Sequence, residues 1–516
     1  MFKRLVFLIL TVLFSGRSFS QDSLVSLAEI SYSSVAERVA IHAALVDKKP
    51  DYFSLFNYAN LAKNEQSKAK FYSYLKGLDL ENKGGKKNSK RVKYVYENVH
   101  QAFLTKYQAK NHFSEIFENG YYNCVSATAL YSMAFDYFQI PYSIKEKPNH
   151  VYPVAYPQSD LVVVETTNPM VGSIAFSDQF KRLYVENLRK QKLVSNQEVQ
   201  NTDPTKLFDQ YFFRAETNIT LDQLVGIQYM NNGIFKFEDD DFINSYKLWE
   251  KAYLFYKTDQ VINGLVVSYY NAFQNLSKKD SLHASLVGKL SRFTKFGVAP
   301  DNVKGEFGRA IQEVLFDKGN PEEIKKYYRV LEASIKNKDL KEDLEFIYSY
   351  ELGRYMFNQG KFTESKPYFE KAFALRPNNQ DVQQIYIQLL SNNLRTYTDI
   401  KHIVTSLLEA GQQHPTLRTN NVYNSMLANG YLGYFGDQYE NNKPSEGDKY
   451  KIEFEKLYTS NKDLTVDPSL IGQAYSQAAV YYFKRSQLAK AKSFIDKGLE
   501  FAPGNRELMA RKRLMN

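Results

Sequence analysis

The chain has 516 residues, 67 basic and 57 acidic side chains, a net charge of +10 and a single cysteine. So mild a charge at this length gives no reason to expect a nucleic-acid partner, and one cysteine excludes an internal disulfide. Two or three domains are expected.

Residues 1–20 have the three-part form of a secretory signal. Lys3 and Arg4 are followed by an apolar run over 5–14 interrupted only by Thr11, then by Ser18, Phe19 and Ser20. Cleavage is expected before Gln21. Lys3, Arg4 and Arg17 leave with the leader, so the mature chain carries about +7. The apolar run is shorter than the ~20 residues that span a bilayer, and no later segment offers an uninterrupted one. The expectation is an exported bacterial protein, periplasmic or extracellular, without stable membrane insertion. No cysteine near the cleavage site offers a lipid anchor. In an exported chain a lone cysteine is either a buried, inert residue or a working thiol.

Residues 21–85 read as an N-terminal helical segment, with apolar residues at helical spacing around Val35, Val39 and Ile41 and again over 71–80. Lys83, Lys86, Lys87, Lys90, Arg91 and Lys93, interleaved with Gly84 and Gly85, read as a solvated linker entering a helix. Val92, Val95, Val99 and Phe103 fall on one face of that helix, which spans about 92–107.

Asn123 is a suitable N-cap for a helix whose apolar stripe is Ala127, Leu130, Tyr131, Ala134, Phe135 and Phe138. Cys124 lies in its first turn, where the helix dipole and free backbone amides favour a thiolate. The Cys124 amide is also placed to donate to an oxyanion. After Ile140-Pro141 the period changes, and 151–156 and 161–166 read as strands flanking a turn at 157–160. If Tyr156 pairs with Leu161, paired numbers sum to 317, and His150 and Glu165 become diagonal neighbours on one face, about 7–8 Å apart at the backbone. A one-residue slip makes Asn168 the group that orients His150 instead.

Gly120, Cys124 opening a helix, Ile140-Pro141, His150 opening a strand, and Glu165 followed by Thr166 and Thr167 resemble the transglutaminase-like branch of the papain-like superfamily. The resemblance covers roughly 91–172, with glutamate where aspartate is usual and Tyr152 as the aromatic after the histidine. It implies Cys124 as nucleophile, His150 as general base and acid, and Glu165 as the group fixing the imidazole. It further implies an amide substrate cleaved through a thioester, resolved by water or by a second amine. The family contains inactive members, so a non-catalytic scaffold retaining the fold is the alternative. Tyr121 and Tyr122 are candidates for lining the site, with packing as the competing role.

No cofactor or metal is expected. His42, His100, His112, His283, His402 and His414 show no ligand spacing, and Glu238-Asp239-Asp240-Asp241 reads as a turn rather than a calcium loop. Beyond about Phe180 the pattern is helical to the end. Gly353, Ser365, Phe369, Ala372 and Pro377 stand at offsets 0, 12, 16, 19 and 24. The same offsets pick out Ala479, Ala491, Ile495, Gly498 and Pro503, and Gly233, Ser245, Trp249, Ala252 and Lys257 without the proline. These sets resemble the tetratricopeptide repeat, in which small residues let two helices pack closely and proline ends the second. Asn320-Pro321 reads as a helix start and 441–448 as an inserted loop.

The expected fold class is α+β. A papain/transglutaminase-like cysteine domain over 86–180, a helix plus antiparallel sheet, precedes a mostly α-helical tetratricopeptide-like solenoid over 181–516. The solenoid is expected to hold a protein or peptide substrate or partner.

Overall fold

The computed structural model describes residues 24–167, 172–395 and 397–515; the leader expected over 1–20 and Asn168 lie outside the described residues. They fall into two units, one of 24–278 with 285–299, the other of 279–284 with 300–515. Helix dominates, and among the described residues no helix is long and apolar enough to cross a membrane.

In the first unit helices pack with a sheet, and Val154 and Val163 of that sheet share a buried apolar cluster with Val185, Leu207 and Phe208. Helix α1 (Val35–Leu45) precedes α2 (Asn88–Phe103), which buries Val92, Val95, Val99 and Phe103, the face its spacing predicts. A short parallel pair follows, β1 (Lys106–Tyr107) with β2 (Tyr121–Tyr122). Gly120 closes that turn with a φ of +78°, and its carbonyl takes the Thr105 amide at 2.7 Å. A Cβ there would lie 2.1 Å from Thr105 Oγ1, so both the backbone angle and the space require glycine.

Helix α3 (Cys124–Tyr137) is buried on all sides from Val125 to Phe135 rather than along one stripe, and Phe138 is its half-buried C-cap. A sheet contacts it on one side and a later helix on another, which explains why small residues (Ala127, Ala129, Ala134) alternate with large ones. The sheet is antiparallel, in the order β6-β5-β4-β3-β7, with β3 Tyr142–Lys147, β4 His150–Ala155, β5 Val162–Val164, β6 Ser173–Ala175 and β7 Thr217–Ile219. Val154 pairs with Val163 and Ala155 with Val162, so the register summing to 317 is the one found. The ladder is shorter than expected. Tyr156 and Leu161 have positive φ and form the turn, and Thr166 and Thr167 lie beyond the strand.

Strand β7 corrects the expectation of uninterrupted helix after Phe180. Three residues are too few to register as a period, yet Ile219 pairs with Ile144 and closes the sheet edge. The chain then forms α4 (Leu221–Glu238) and α5 (Phe242–Phe255), and 239–241 is the turn between them. This is the hairpin of the Gly233 set, in which Gly233 faces the Trp249 indole and a Cβ would approach it to 2.9 Å.

The second unit contains the other two sets. Helices α6 (Lys338–Asn358) and α7 (Phe362–Leu375) pack with Gly353 against Phe369, and Pro377 follows the end of α7. In α8 (Pro468–Phe483) and α9 (Leu488–Phe501), Gly498 closes on Tyr475 and Ala479, Ala491 and Ile495 are buried. The three sets are thus helical hairpins with tetratricopeptide-like close contacts. Asn320 caps a helix over Pro321–Ser334, as its sequence predicts. The loop expected over 441–448 is instead a three-residue turn, because Pro444 suits a first helical position and starts the helix Pro444–Ser460.

Candidate functional site

The N-terminus of α3 is held by a buried polar network. Asn123 Oδ1 accepts from the Ser126 amide and Ser126 Oγ accepts from the Asn123 amide, both at 2.9 Å, a reciprocal capping box. Ser126 Oγ also donates to Asn111 Oδ1 at 2.9 Å, and Asn111 Nδ2 donates to Glu115 and to the Tyr121 carbonyl. Cys124 is therefore presented from a first turn that cannot fray without breaking several buried hydrogen bonds. No local pattern marks Asn111 as part of this network; its contact spans 15 positions.

Helix and sheet meet beside that turn. Thr128 Oγ1 donates to the Val151 carbonyl at 3.1 Å, which fixes α3 against the start of β4. His150, the first residue of β4, lies close enough to Cys124 for that side chain to be the largest influence on its imidazole. Its Nε2 faces Glu165 Oε1 at 3.6 Å, an ion-pair distance longer than a strong hydrogen bond. The Glu165 oxygen is itself held by the Thr167 amide at 2.8 Å and hydroxyl at 2.6 Å. Tyr152 stacks on the imidazole with centroids 5.5 Å apart and donates to Glu216.

The electrostatics follow from these contacts. The Cys124 and Glu165 side chains, against an opposing effect of burial, hold the His150 imidazole up at about 9. Burial alone would raise the Glu165 carboxyl, but His150 and the two Thr167 donors outweigh it and bring it down to about 2. A carboxylate beside an imidazolium is the state favoured near neutrality. Cys124, His150 and Glu165 are thus brought together. Tyr122 is buried in aromatic packing against His100 and Tyr107, and Tyr121 stacks with Lys106, so neither lines the cleft.

Cys124 and His150 open onto a cleft of about 660 Å³. Tyr107, Asn149 and Glu146 form the near side. Ile227, Met230 and Ile234 of α4 form an apolar far wall. The periodicity of α4 is legible, but which of its faces meets the cysteine is not. Among the described residues no group of three His, Cys, Asp or Glu side chains is arranged to hold a metal ion. A cysteine sulfur, an imidazolium and a carboxylate in this order supply a nucleophile for a carbonyl carbon and a proton donor for the departing group, with the helix amides near the developing oxyanion.

No family model matches the sequence, and no curated protein matches it. Among solved structures, the chain is similar to one in the structure of Naa15/Naa10 bound to HypK-THB, at 12% identity over 57% of each chain with a TM-score of 0.14. This chain thus spans little more than half the length of that one. It is also similar to one in the APC/C hetero-tetramer Cut9-Hcn1, at 10% identity over 93% of this chain and 96% of that one, with a TM-score of 0.18. Scores this low carry neither fold nor function, and the class rests on the chain's own contacts. It is a mostly helical protein with tetratricopeptide-like hairpins and a five-stranded sheet beside its single cysteine.

Proposed function

We propose that the chain is an exported cysteine enzyme acting on an amide bond of a protein or peptide, with a transglutaminase-like site. The observation that carries this reading is that Cys124 and His150 line one cleft, with Glu165 3.6 Å behind the imidazole. Cys124 sulfur attacks the amide carbonyl, His150 gives the proton to the departing amine, and a thioester remains on Cys124. Water, or a second amine, deprotonated by His150, then releases the acyl group. Glu165 keeps the imidazole oriented and stabilises its cation. The helical hairpins serve substrate or partner binding. Export is part of the same proposal and is checked by N-terminal sequencing of the protein recovered from a bacterial envelope fraction, with Gln21 as the expected first residue.

The test is the rate of Cys124 alkylation by iodoacetamide across pH, in the wild type and in His150→Ala. Alkylation that persists below about pH 7 and falls at least about tenfold in His150→Ala is expected. An unreactive Cys124 in the folded protein favours the second reading, a non-catalytic protein-binding scaffold. That reading has its own support in the helical hairpins, which occur in both units and suit protein binding without chemistry.

A further inference from the structure

A second cavity of about 310 Å³ lies in the first unit, and its wall carries a concentration of cations. Lys110, Lys236, Lys247 and Lys251 line it together with His112, whereas Asp239 is its sole carboxylate lining group. Three of the lysines have partners: Lys110 with Asp239 at 2.7 Å, Lys236 with Asp241 at 3.3 Å, and Lys251 with the buried Glu37 at 2.7 Å. Lys247 has none among the described residues and is half-buried. Its charge adds to the burial that lowers the Lys251 ammonium. His112 Nδ1 is buried with no hydrogen-bond partner. With Lys110, Lys236 and Lys251 each matched by a carboxylate, Lys247 leaves the wall with an excess positive charge.

The rest of the wall suits an organic ligand. Phe235 and Leu248 offer apolar surface, and Tyr32 brings a hydroxyl. At about 310 Å³ the cavity stands at the small end of ligand sites, which begin near ~300 Å³. We propose that this cavity binds a compact organic anion, its oxyanion group taken by Lys247 and its carbon part resting on Phe235 and Leu248. The cavity shares Phe235 with the Cys124 cleft, but its cationic groups are its own and do not depend on the cysteine being reactive.

Phosphate and carboxylate share this chemistry, so inorganic phosphate and succinate are the two probes. Each is titrated at constant ionic strength against chloride, with calorimetry and thermal unfolding as readouts, on the full chain. Saturable binding of at least one anion is expected, with Tm raised by about 2 °C or more. Lys247→Gln should weaken it by about tenfold and Lys247→Arg should retain it. Because Lys247 has no partner among the described residues, both variants should stay folded. Preference for one probe names the head group and supports the site. Binding by neither anion, or equal binding by Lys247→Gln and wild type, overturns it, the latter marking general charge attraction.

Discussion

The two units keep their charges in different places. In the first, Glu37 and Lys251 pair at 2.7 Å with both side chains almost fully buried, and Glu250 meets Lys289 at 2.6 Å in a similar setting. In the second, the pairs of Arg376 with Glu342 and Asp343, and of Lys497 with Glu500, are half-exposed, and the interior closes through ring and small-residue contacts such as Gly353 with Phe369. A buried pair stabilises little over an apolar replacement but is severe to break, whereas an exposed pair contributes little either way. The first unit is therefore sensitive to single charges and the second to single volumes.

Substitution breaks this contrast most directly at Glu37. Glu37→Gln leaves Lys251 buried without its counter-charge, and a loss of about 3–5 kcal/mol is expected in urea unfolding. Adding Lys251→Met to Glu37→Leu should recover part of it; if the double variant is no better than the single, the charge is not the cause. On the other side, Phe369→Ala should cost about 3–5 kcal/mol through the cavity left beside Gly353, with little dependence on salt. A loss below about 1 kcal/mol there would mean that the hairpin is not held by this contact.

Ser126→Ala removes one half of the capping box and leaves Asn111 without its buried partner. About 2 kcal/mol is expected by urea unfolding, together with faster hydrogen exchange in the first turn of α3.

The His150–Glu165 pair gives a smaller effect with a defined sign. His150, held up at about 9, contributes fully below its ordinary 6.5, and that contribution is lost as pH rises through about 9. Glu165, brought down to about 2, contributes fully above its ordinary 4.5 and loses this as pH falls toward about 2. Both are satisfied between pH 4.5 and 6.5, where wild type should gain about 1 kcal/mol over His150→Ala, a figure reduced for solvent screening of a partly exposed pair. A flat difference across pH would remove the pair from the stability of the site. Smallest of all, Arg376→Ala should cost less than about 1 kcal/mol, which sharpens the contrast with Glu37.

Much of this was legible along the chain. Asn123 as a cap, the 317 register of β4 and β5, and the small-residue offsets of three hairpins are local or periodic signals, set by capping chemistry, a two-residue strand repeat and helix contact geometry. The helix start at Pro444 carried a similar signal that its polar neighbours concealed. Strand β7, the apolar α4 wall and the hold of Asn111 on Ser126 had no such mark, because each depends on which distant segment lies alongside.

The sequence by itself determined that Cys124 opens a capped helix, that His150 opens a strand whose neighbour, in the register summing to 317, ends just before Glu165, and that glycine and alanine recur where helices must approach. Tertiary structure alone decided that α3 is buried on every side, that Thr167 rather than a strand partner holds Glu165, and that α4 faces the cysteine. The physical reason is range. Caps, turns and periods are written within a few residues, whereas a cleft, a buried ion pair or an unpartnered lysine exists only once chain segments far apart in sequence share one volume.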